Sequence, residues 1–178
     1  MTKNRIIMAN MIGLDEAIQI GLPHVFHENR HIYPSVQPSF LYLENAVLNK
    51  QLPILQELHR RGHTYYESSA YFINVAANNG EFEMVKWLYA NGYTKYNTNA
   101  FENAAKNNHT EIVKWLHNTC AANIKANNMA MNYAIMNNNL EIVEWLTSKN
   151  YIIPFNAILD AKQYKHNDIV NWLNNQDF

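Results

Sequence analysis

Residues 111–116 read Glu-Ile-Val-Lys-Trp-Leu, and close copies of this segment occur at residues 83–88, 141–146 and 168–173. All four tryptophans of the chain lie in these copies, at spacings of 28, 30 and 27 residues. A similarity that recurs every ~20 to 50 residues indicates a solenoid, in which each unit stacks on its neighbours because it cannot bury its apolar face alone. The segment therefore predicts an array of stacked units, and residues 53–58 form a fifth, degraded copy with Glu57 in place of the tryptophan.

Each copy forms the second of two short helices. Its apolar side chains are three or four residues apart and therefore share one face of a helix. A first helix is indicated upstream, because every copy is preceded at a fixed distance by an alanine, namely Ala46, Ala76, Ala104, Ala134 and Ala161. The small alanine permits close helix packing, and we expect Trp and Leu of the second helix to fill the space between units.

The residues between the two helices predict a tight turn. Residues 78–80 are Asn-Asn-Gly, residues 107–109 are Asn-Asn-His and residues 137–139 are Asn-Asn-Asn. Glycine and asparagine tolerate the left-handed conformation that ends a helix. Each unit is therefore expected to be a hairpin of two antiparallel helices.

Residues 75–88 and 103–116 resemble repeats of the ankyrin family, with two alanines, a turn containing Gly or His, and a second helix similar to Glu-Ile-Val-x-x-Leu. The resemblance covers residues 41–178 and implies an all-α, ankyrin-like solenoid of stacked helix-turn-helix repeats. The Trp-Leu second helix and the abundant asparagine look like the divergent repeats of large DNA viruses and some protists. The opening Thr-Pro-Leu-His of the family's first helix is missing.

The repeats are shorter than the family period of about 33 residues. Because the helices keep their spacing, the missing residues must come from the connection after the second helix, which is a β-hairpin finger in ankyrins. We expect these fingers to be shortened to loops. We also expect an N-terminal cap or a degenerate first repeat at residues 1–38 and five repeats over residues 39–178, at about 39–68, 69–96, 97–126, 127–153 and 154–178.

The resemblance implies a non-enzymatic module that binds a partner protein on its concave surface. By register, the residues of the first helices that point away from the core are Asn74, Val75, Glu102, Asn103, Lys106, Asn132, Tyr133 and Met136. The loops add Tyr65, Tyr66, Tyr93 and Tyr96, with Tyr151 in a related place. Tyrosine suits an interface because it offers a large contact area at a small cost in conformational entropy.

Composition excludes several classes of function. Lys plus Arg number 14 and Asp plus Glu 15, so the chain lacks the basic charge typical of nucleic-acid binders. The apolar stretch at residues 6–14 is too short to cross a bilayer. The single cysteine, Cys120, favours an intracellular, cytoplasmic protein, in the host cytoplasm if the source is viral. We expect a monomer, and we interpret the 28 asparagines as coding bias rather than chemistry.

Two alternatives stay open. The first is an adaptor that recruits substrates to a host machine such as a ubiquitin ligase. The second is a metal-dependent enzyme or regulator that uses His24, His27 and His31, which have the spacing of one helix face but no accompanying cysteine. The sequence shows no nucleophile with a base beside it and no glycine-rich phosphate loop, so we expect no catalytic residues, no metal and no cofactor.

Overall fold

The computed structural model describes residues 40–95, 98–120 and 129–176. Within these ranges ten α-helices follow one another in five antiparallel hairpins. The helices are α1 (Phe40–Leu48), α2 (Leu52–Arg60), α3 (Ser69–Asn78), α4 (Phe82–Ala90), α5 (Thr98–Lys106), α6 (Thr110–Cys120), α7 (Met129–Met136), α8 (Leu140–Ser148), α9 (Ala157–Gln163) and α10 (Asn167–Asn174). A single 3₁₀ turn, Tyr66–Ser68, precedes α3.

The expected all-α solenoid is confirmed. No strand occurs in the described part of the chain, and residues 93–95 and 151–154 are irregular loops, as the shortened fingers require. The remaining connections, at residues 96–97 and 121–128, lie outside the described residues, as does the expected cap at 1–38. The division of the chain into repeats at the boundaries given above stays a prediction.

The hairpins stack in two layers. The first helices (α1, α3, α5, α7 and α9) form an inner layer and the second helices (α2, α4, α6, α8 and α10) form an outer layer. Neighbouring inner helices approach each other more closely than neighbouring outer helices do. Alanines such as Ala76, Ala104 and Ala134, which are fully buried, allow this approach. The stack therefore curves toward the inner layer, whose exposed side is the concave face.

The turn inside every hairpin contains one residue in the left-handed conformation. These residues are Lys50, Gly80, Asn108, Asn138 and Lys165, with φ of 59°, 75°, 63°, 56° and 61°. The residue that follows donates its N–H to the carbonyl of the alanine that recurs in every inner helix. His109, for example, donates to the carbonyl of Ala104 at 2.8 Å. Such a bond across the end of a helix is typical of a Schellman motif, which satisfies carbonyls that the helix leaves free. The predicted turn is confirmed.

Gly80 cannot be replaced without moving a neighbour. A Cβ atom at this position would lie 2.5 Å from Cε1 of His109, and the positive φ disfavours other residues as well. The His109 ring is itself fixed, because its Nε2 donates a hydrogen bond to the carbonyl of Asn78 at 3.1 Å. Glycine is therefore required in the turn of the second hairpin, because the histidine from the turn of the third hairpin occupies the space that a side chain would need.

Asparagine and histidine in these turns link successive hairpins. Asn107 Nδ2 donates to Asn78 Oδ1 at 3.0 Å, and Asn137 Nδ2 donates to the carbonyl of Lys106. His166 Nε2 donates to the carbonyl of Met136 at 2.8 Å. Asparagine therefore has a structural role in these turns, where Asn137 caps the carbonyl end of the preceding inner helix and Asn107 bonds to a side chain at the end of it. The interpretation of the overall asparagine content as coding bias stays a prediction.

The leucines and the tryptophans of the repeated segment differ in burial. Leu88, Leu116 and Leu146 are fully buried, whereas the tryptophans are only half-buried. Three of the tryptophans pack edge-to-face on a ring of the preceding hairpin. The pairs are Trp87 with His59, Trp115 with Tyr89 and Trp145 with His117, with ring centroids 5.2, 5.4 and 5.0 Å apart. The tryptophans thus join outer helices instead of filling a closed core.

The first hairpin has an ion cluster where the others have tryptophan. Glu57 is buried and accepts hydrogen bonds from Arg60 Nε at 2.7 Å and from Arg61 Nε at 2.7 Å. The hydrogen bond from Arg60, and then the bond and charge of Arg61, hold the pKa of Glu57 at about 2 against the opposing effect of burial. A carboxylate can occupy this position because both arginines lie within one helical turn of it.

Candidate protein-interaction surface

The inner helices present a regular row of side chains on the concave face. In α5 and α7 the residues that are not fully buried are three or four positions apart and alternate with buried Ala, Phe, Met and Ile. After Thr98 at the start of α5, they are Asn99, Glu102, Asn103 and Lys106 on α5, and on α7 they are Met129, Asn132, Tyr133 and Met136. This spacing places each group of four on one helix face, directed away from the core.

Lys106 and Tyr133 come together at the middle of this face. Lys106 is exposed, and its Nζ lies 5.7 Å from the centroid of the half-buried Tyr133 ring. A cation over an aromatic ring at this distance is attracted by the ring quadrupole. Within the described residues no carboxylate forms a salt bridge with Lys106, whereas Lys50, Lys86 and Lys114 each pair with a glutamate. The lysine charge therefore remains available to a partner.

Of the other predicted residues of the inner helices, Met136 is exposed and the rest are half-buried. Asn74 and Asn132 occupy the same register, and in both the Oδ1 atom is buried without a hydrogen-bond partner in the described part of the chain. The Nδ2 of Asn132 lies 3.9 Å from the sulfur of Met129. Val75 packs against the core and offers only part of its side chain, and Glu102 and Asn103 are intermediate.

The predicted tyrosines divide into exposed and buried residues. Tyr65 and Tyr66 are exposed, and Tyr96 lies outside the described residues. The expectation that Tyr93 is a surface residue is wrong, since its exposed fraction is 0%. Its ring packs between those of Tyr66 and Phe72, with centroids 5.0 and 5.9 Å away, and burial raises its pKa to about 12.

Tyr151 is buried as well. Its hydroxyl is hydrogen-bonded to Nδ1 of His117 at 3.0 Å, and its ring stacks on Phe101. Tyr93 and Tyr151 stand in the same register after their helices, as does buried His63. A large residue that recurs at one register is a sign of the core, and this signal was present in the sequence.

Sequence reasoning missed a contact at the other end of the inner face. Tyr71 is exposed and donates from its hydroxyl to Glu44 Oε1 at 2.6 Å. This hydrogen bond, followed by burial and the charge of Glu44, raises the pKa of Tyr71 to about 12. The pair links α1 to α3 across the concave face.

The exposed large hydrophobic side chains have a one-sided distribution. In the described ranges five of them belong to inner helices, five belong to connections between an inner and an outer helix, and none belongs to an outer helix. They are Leu48, Tyr65, Tyr66, Tyr71, Met129, Met136, Ile152, Phe155, Leu159 and Tyr164. Exposed apolar side chains that gather on one face are typical of interaction sites. Ile152, Phe155 and Leu159 were absent from the sequence-based set.

The described residues contain no candidate metal site for the alternative of a metal-dependent enzyme or regulator. His24, His27 and His31 lie outside the described residues, and the described ranges contain no group of three or more His, Cys, Asp or Glu side chains that could hold a metal ion. No described helix is both long and apolar enough to cross a membrane.

Comparison with protein families matches the model for ankyrin repeats in three copies to residues 43–128, 73–156 and 101–177. The matches overlap and together cover most of the chain, in agreement with the stacked hairpins. The chain therefore belongs to the ankyrin repeat family. Ankyrin repeats are in general non-enzymatic protein-interaction modules. Among proteins with curated descriptions, none matches the chain.

Proposed function

We propose that this chain binds a partner protein on the concave face of its inner helices. The observation that carries the proposal is the one-sided distribution of exposed large hydrophobic residues, because a surface with no binding role has no reason to avoid the outer helices. The family's general role as an interaction module agrees with it.

We place the centre of the site at Lys106 and Tyr133. Hot spots of protein interfaces are enriched in aromatic residues that lie near the middle of the patch. Tyr133 is such a residue, with Lys106 on its ring and exposed Met136 one turn further along α7. A carboxylate on the partner would supply the ion pair that Lys106 lacks among the described residues.

The test is a double substitution on the inner face. Lys106→Glu with Tyr133→Ala should reduce capture of the partner from extracts of the source cells by about 10-fold or more, the effect of losing a hot spot. The thermal midpoint should change by a few degrees at most, because Lys106 is exposed and Tyr133 is half-buried. Quantitative mass spectrometry of the captured proteins gives the readout.

Lys86→Glu on α4 is the matched control. Lys86 is also partly exposed and lies near an aromatic ring, 4.5 Å from the centroid of Phe82, but it belongs to the outer layer. Capture that survives the inner-face double substitution and fails with Lys86→Glu would move the site to the convex face and contradict the proposal.

We further propose that the module acts as a monomer inside the cell. The adaptor function is a narrower form of the same proposal, because it needs a second protein on a second surface. Ligase subunits that remain captured by the double variant, while another protein is lost, would favour the adaptor.

A further inference from the structure

The connection between α8 and α9 and the first turn of α9 carry the most exposed apolar side chains of the described residues. Phe155 has an exposed fraction of 101%, and Ile152 and Leu159 each have 69%. Phe155 lines a groove of ≈ 330 Å³ together with Ile153, Pro154, Ala157, Ile158 and Leu173. Apolar groups this exposed cost solubility without contributing to the core, so a role outside the fold is expected.

Polar residues occur at each of these positions in at least one other repeat. Leu159 stands in register with Asn74, Glu102 and Asn132, Ile152 with Thr64 and Thr94, and Phe155 with Thr98. The fold is therefore compatible with polar residues at all three positions. At the Ile152 and Leu159 positions no other repeat has a large apolar residue, whereas the first repeat has Phe40 in the register of Phe155. None of the three apolar residues is required by the repeat.

We propose that this groove, which we call the Phe155 groove, receives one large apolar side chain of the partner protein that occupies the concave face. The inference rests on the proposed function. Leu159 continues the row of Glu102 and Asn132 along the inner helices, and it directly follows Ile158, which lines the groove. A segment bound at Lys106 and Tyr133 can therefore extend to the edge of the groove. The apolar side chain would be aliphatic or aromatic, since the lining contains only apolar residues.

The size of the site supports this occupant. A groove of ≈ 330 Å³ lies at the lower end of the range for small-ligand sites, which suits one or two side chains better than a docked helix. Ile152, Phe155 and Leu159 together offer on the order of 400 Å² of apolar surface. This is about half of the ~800 Å² that each subunit contributes to a stable dimer, so the patch alone is too small to hold a second copy.

The experiment uses a library of random peptides displayed on phage and the full chain as bait. We expect the selected peptides to share a large apolar residue and to bind the triple variant Ile152→Thr, Phe155→Thr, Leu159→Asn about 10-fold or more weakly than the unmodified chain. Each replacement introduces a residue that other repeats carry in that register, so the variant should keep its helical circular dichroism and its thermal midpoint.

Tyr164→Asn is the matched control. It also replaces an exposed large residue by the asparagine found in that register, as in Asn107 and Asn137. Tyr164 neither lines the groove nor adjoins a lining residue in sequence, whereas Phe155 lines the groove and Ile152 and Leu159 each adjoin a lining isoleucine. Peptide affinity should be unchanged in this variant. An equal loss in Tyr164→Asn and in the triple variant would show a general loss of apolar surface and would overturn the assignment of the groove.

Other outcomes separate this inference from the proposed function. Peptides that lose affinity with the Lys106 and Tyr133 substitutions but bind the triple variant normally would refute the groove and leave the concave site standing. Peptides insensitive to both sets would refute both. Concentration-dependent dimerisation in analytical ultracentrifugation that the triple variant abolishes would assign the groove to a second copy instead. Flotation with neutral phosphatidylcholine vesicles that the triple variant abolishes would assign it to a lipid surface.

Discussion

The outer side of the array contains two clusters with the same three residue types, 58 residues apart in sequence. The first consists of His59, Trp87 and Tyr93, and the second of His117, Trp145 and Tyr151. Their ring geometries agree closely. The His–Trp centroids are 5.2 and 5.0 Å apart at interplanar angles of 85° and 86°, and the His–Tyr centroids are 6.1 and 5.7 Å apart at 54° and 55°.

The polar atoms of the two clusters behave differently. In the second cluster the Tyr151 hydroxyl and His117 Nδ1 form a hydrogen bond of 3.0 Å. In the first, neither His59 Nδ1 nor the Tyr93 hydroxyl has a hydrogen-bond partner of good geometry in the described part of the chain, although the hydroxyl lies close to the backbone of Tyr65. The repeat backbone therefore fixes where the rings lie, and local neighbours decide whether their polar atoms meet.

The local neighbours are different aromatic rings. Tyr93 is held by Tyr66 and Phe72 at tilted and edge-on angles of 49° and 71°, whereas Tyr151 lies nearly parallel to Phe101 at 23°. The tyrosine is inclined equally to the histidine in both clusters, but its ring centroid lies farther from the histidine in the first cluster, at 6.1 against 5.7 Å. The two clusters therefore pack alike but differ in hydrogen bonding. The contributions of packing and of the hydrogen bond to the free energy of unfolding can thus be measured separately.

The largest effect is expected from the shared packing. Trp87→Ala and Trp145→Ala should each lower the free energy of unfolding by about 2 to 4 kcal/mol, less than for fully buried aromatics because both rings are half-buried. Trp172→Ala should cost less, because the preceding hairpin offers Thr147 and not a ring at the matching position. Urea titrations of the three variants provide the values. An equal decrease in the free energy of unfolding for Trp172→Ala would show that the contact with the preceding ring does not cause the losses in the other two variants.

The hydrogen bond distinguishes the two clusters. Tyr151→Phe should cost about 1 kcal/mol, the usual net contribution of a buried hydrogen bond. Tyr93→Phe should be neutral or slightly stabilising, because it removes a buried hydroxyl without a well-formed bond. The same urea titrations apply. Similar losses for both substitutions would mean that the two hydroxyls are equally well bonded in solution.

The smallest effect is expected at His63, which occupies the same position of its repeat as Tyr93 and Tyr151 do. Burial, followed by the charge of Arg61, lowers the pKa of His63 below its ordinary value. The unfolded chain therefore binds this proton more readily than the folded chain does. The contribution of His63 to stability is complete above about pH 6.5 and is lost as the pH falls below that value.

His63→Tyr introduces the residue found in that register in the second and fourth repeats. The decrease in unfolding free energy between pH 7.5 and pH 5.5 should be smaller in this variant than in the unmodified chain. Chemical denaturation at both pH values measures it. An identical decrease in the two proteins would show that His63 titrates normally in the folded state.

The sequence predicted the parts of the fold that repeat. The left-handed turns at Gly80, Asn108 and Asn138 follow from residues that tolerate a positive φ. The same conformation at Lys50 and Lys165 could not be predicted from residue type, since lysine has no intrinsic preference for it. There the packing of the two helices imposes the turn.

The candidate site was harder to predict than the fold. Register alone placed Lys106 and Tyr133 on one face, where the structure brings them together. Register did not predict the burial of Tyr93. Residues in loops are usually exposed, but this connection is so short that the Tyr93 side chain is buried by its neighbours. Register also does not indicate a role for Phe155 and Leu159, because a role of residues that differ from those of neighbouring repeats leaves no periodic signal.

The contacts that the turn asparagines, the turn histidine and the tryptophans make between hairpins share one direction, although Lys50 Nζ and Lys114 Nζ donate the other way, to the carbonyl of Asn79 and to Glu141 Oε1. The side chains of Asn107, Asn137 and His166 donate to the hairpin before their own, and Trp87, Trp115 and Trp145 likewise pack on the ring before them. During synthesis each newly made hairpin therefore meets a finished surface, with its acceptors and aromatic ring already in place. Such a chain can assemble in the order in which it leaves the ribosome, with little waiting for segments that do not yet exist.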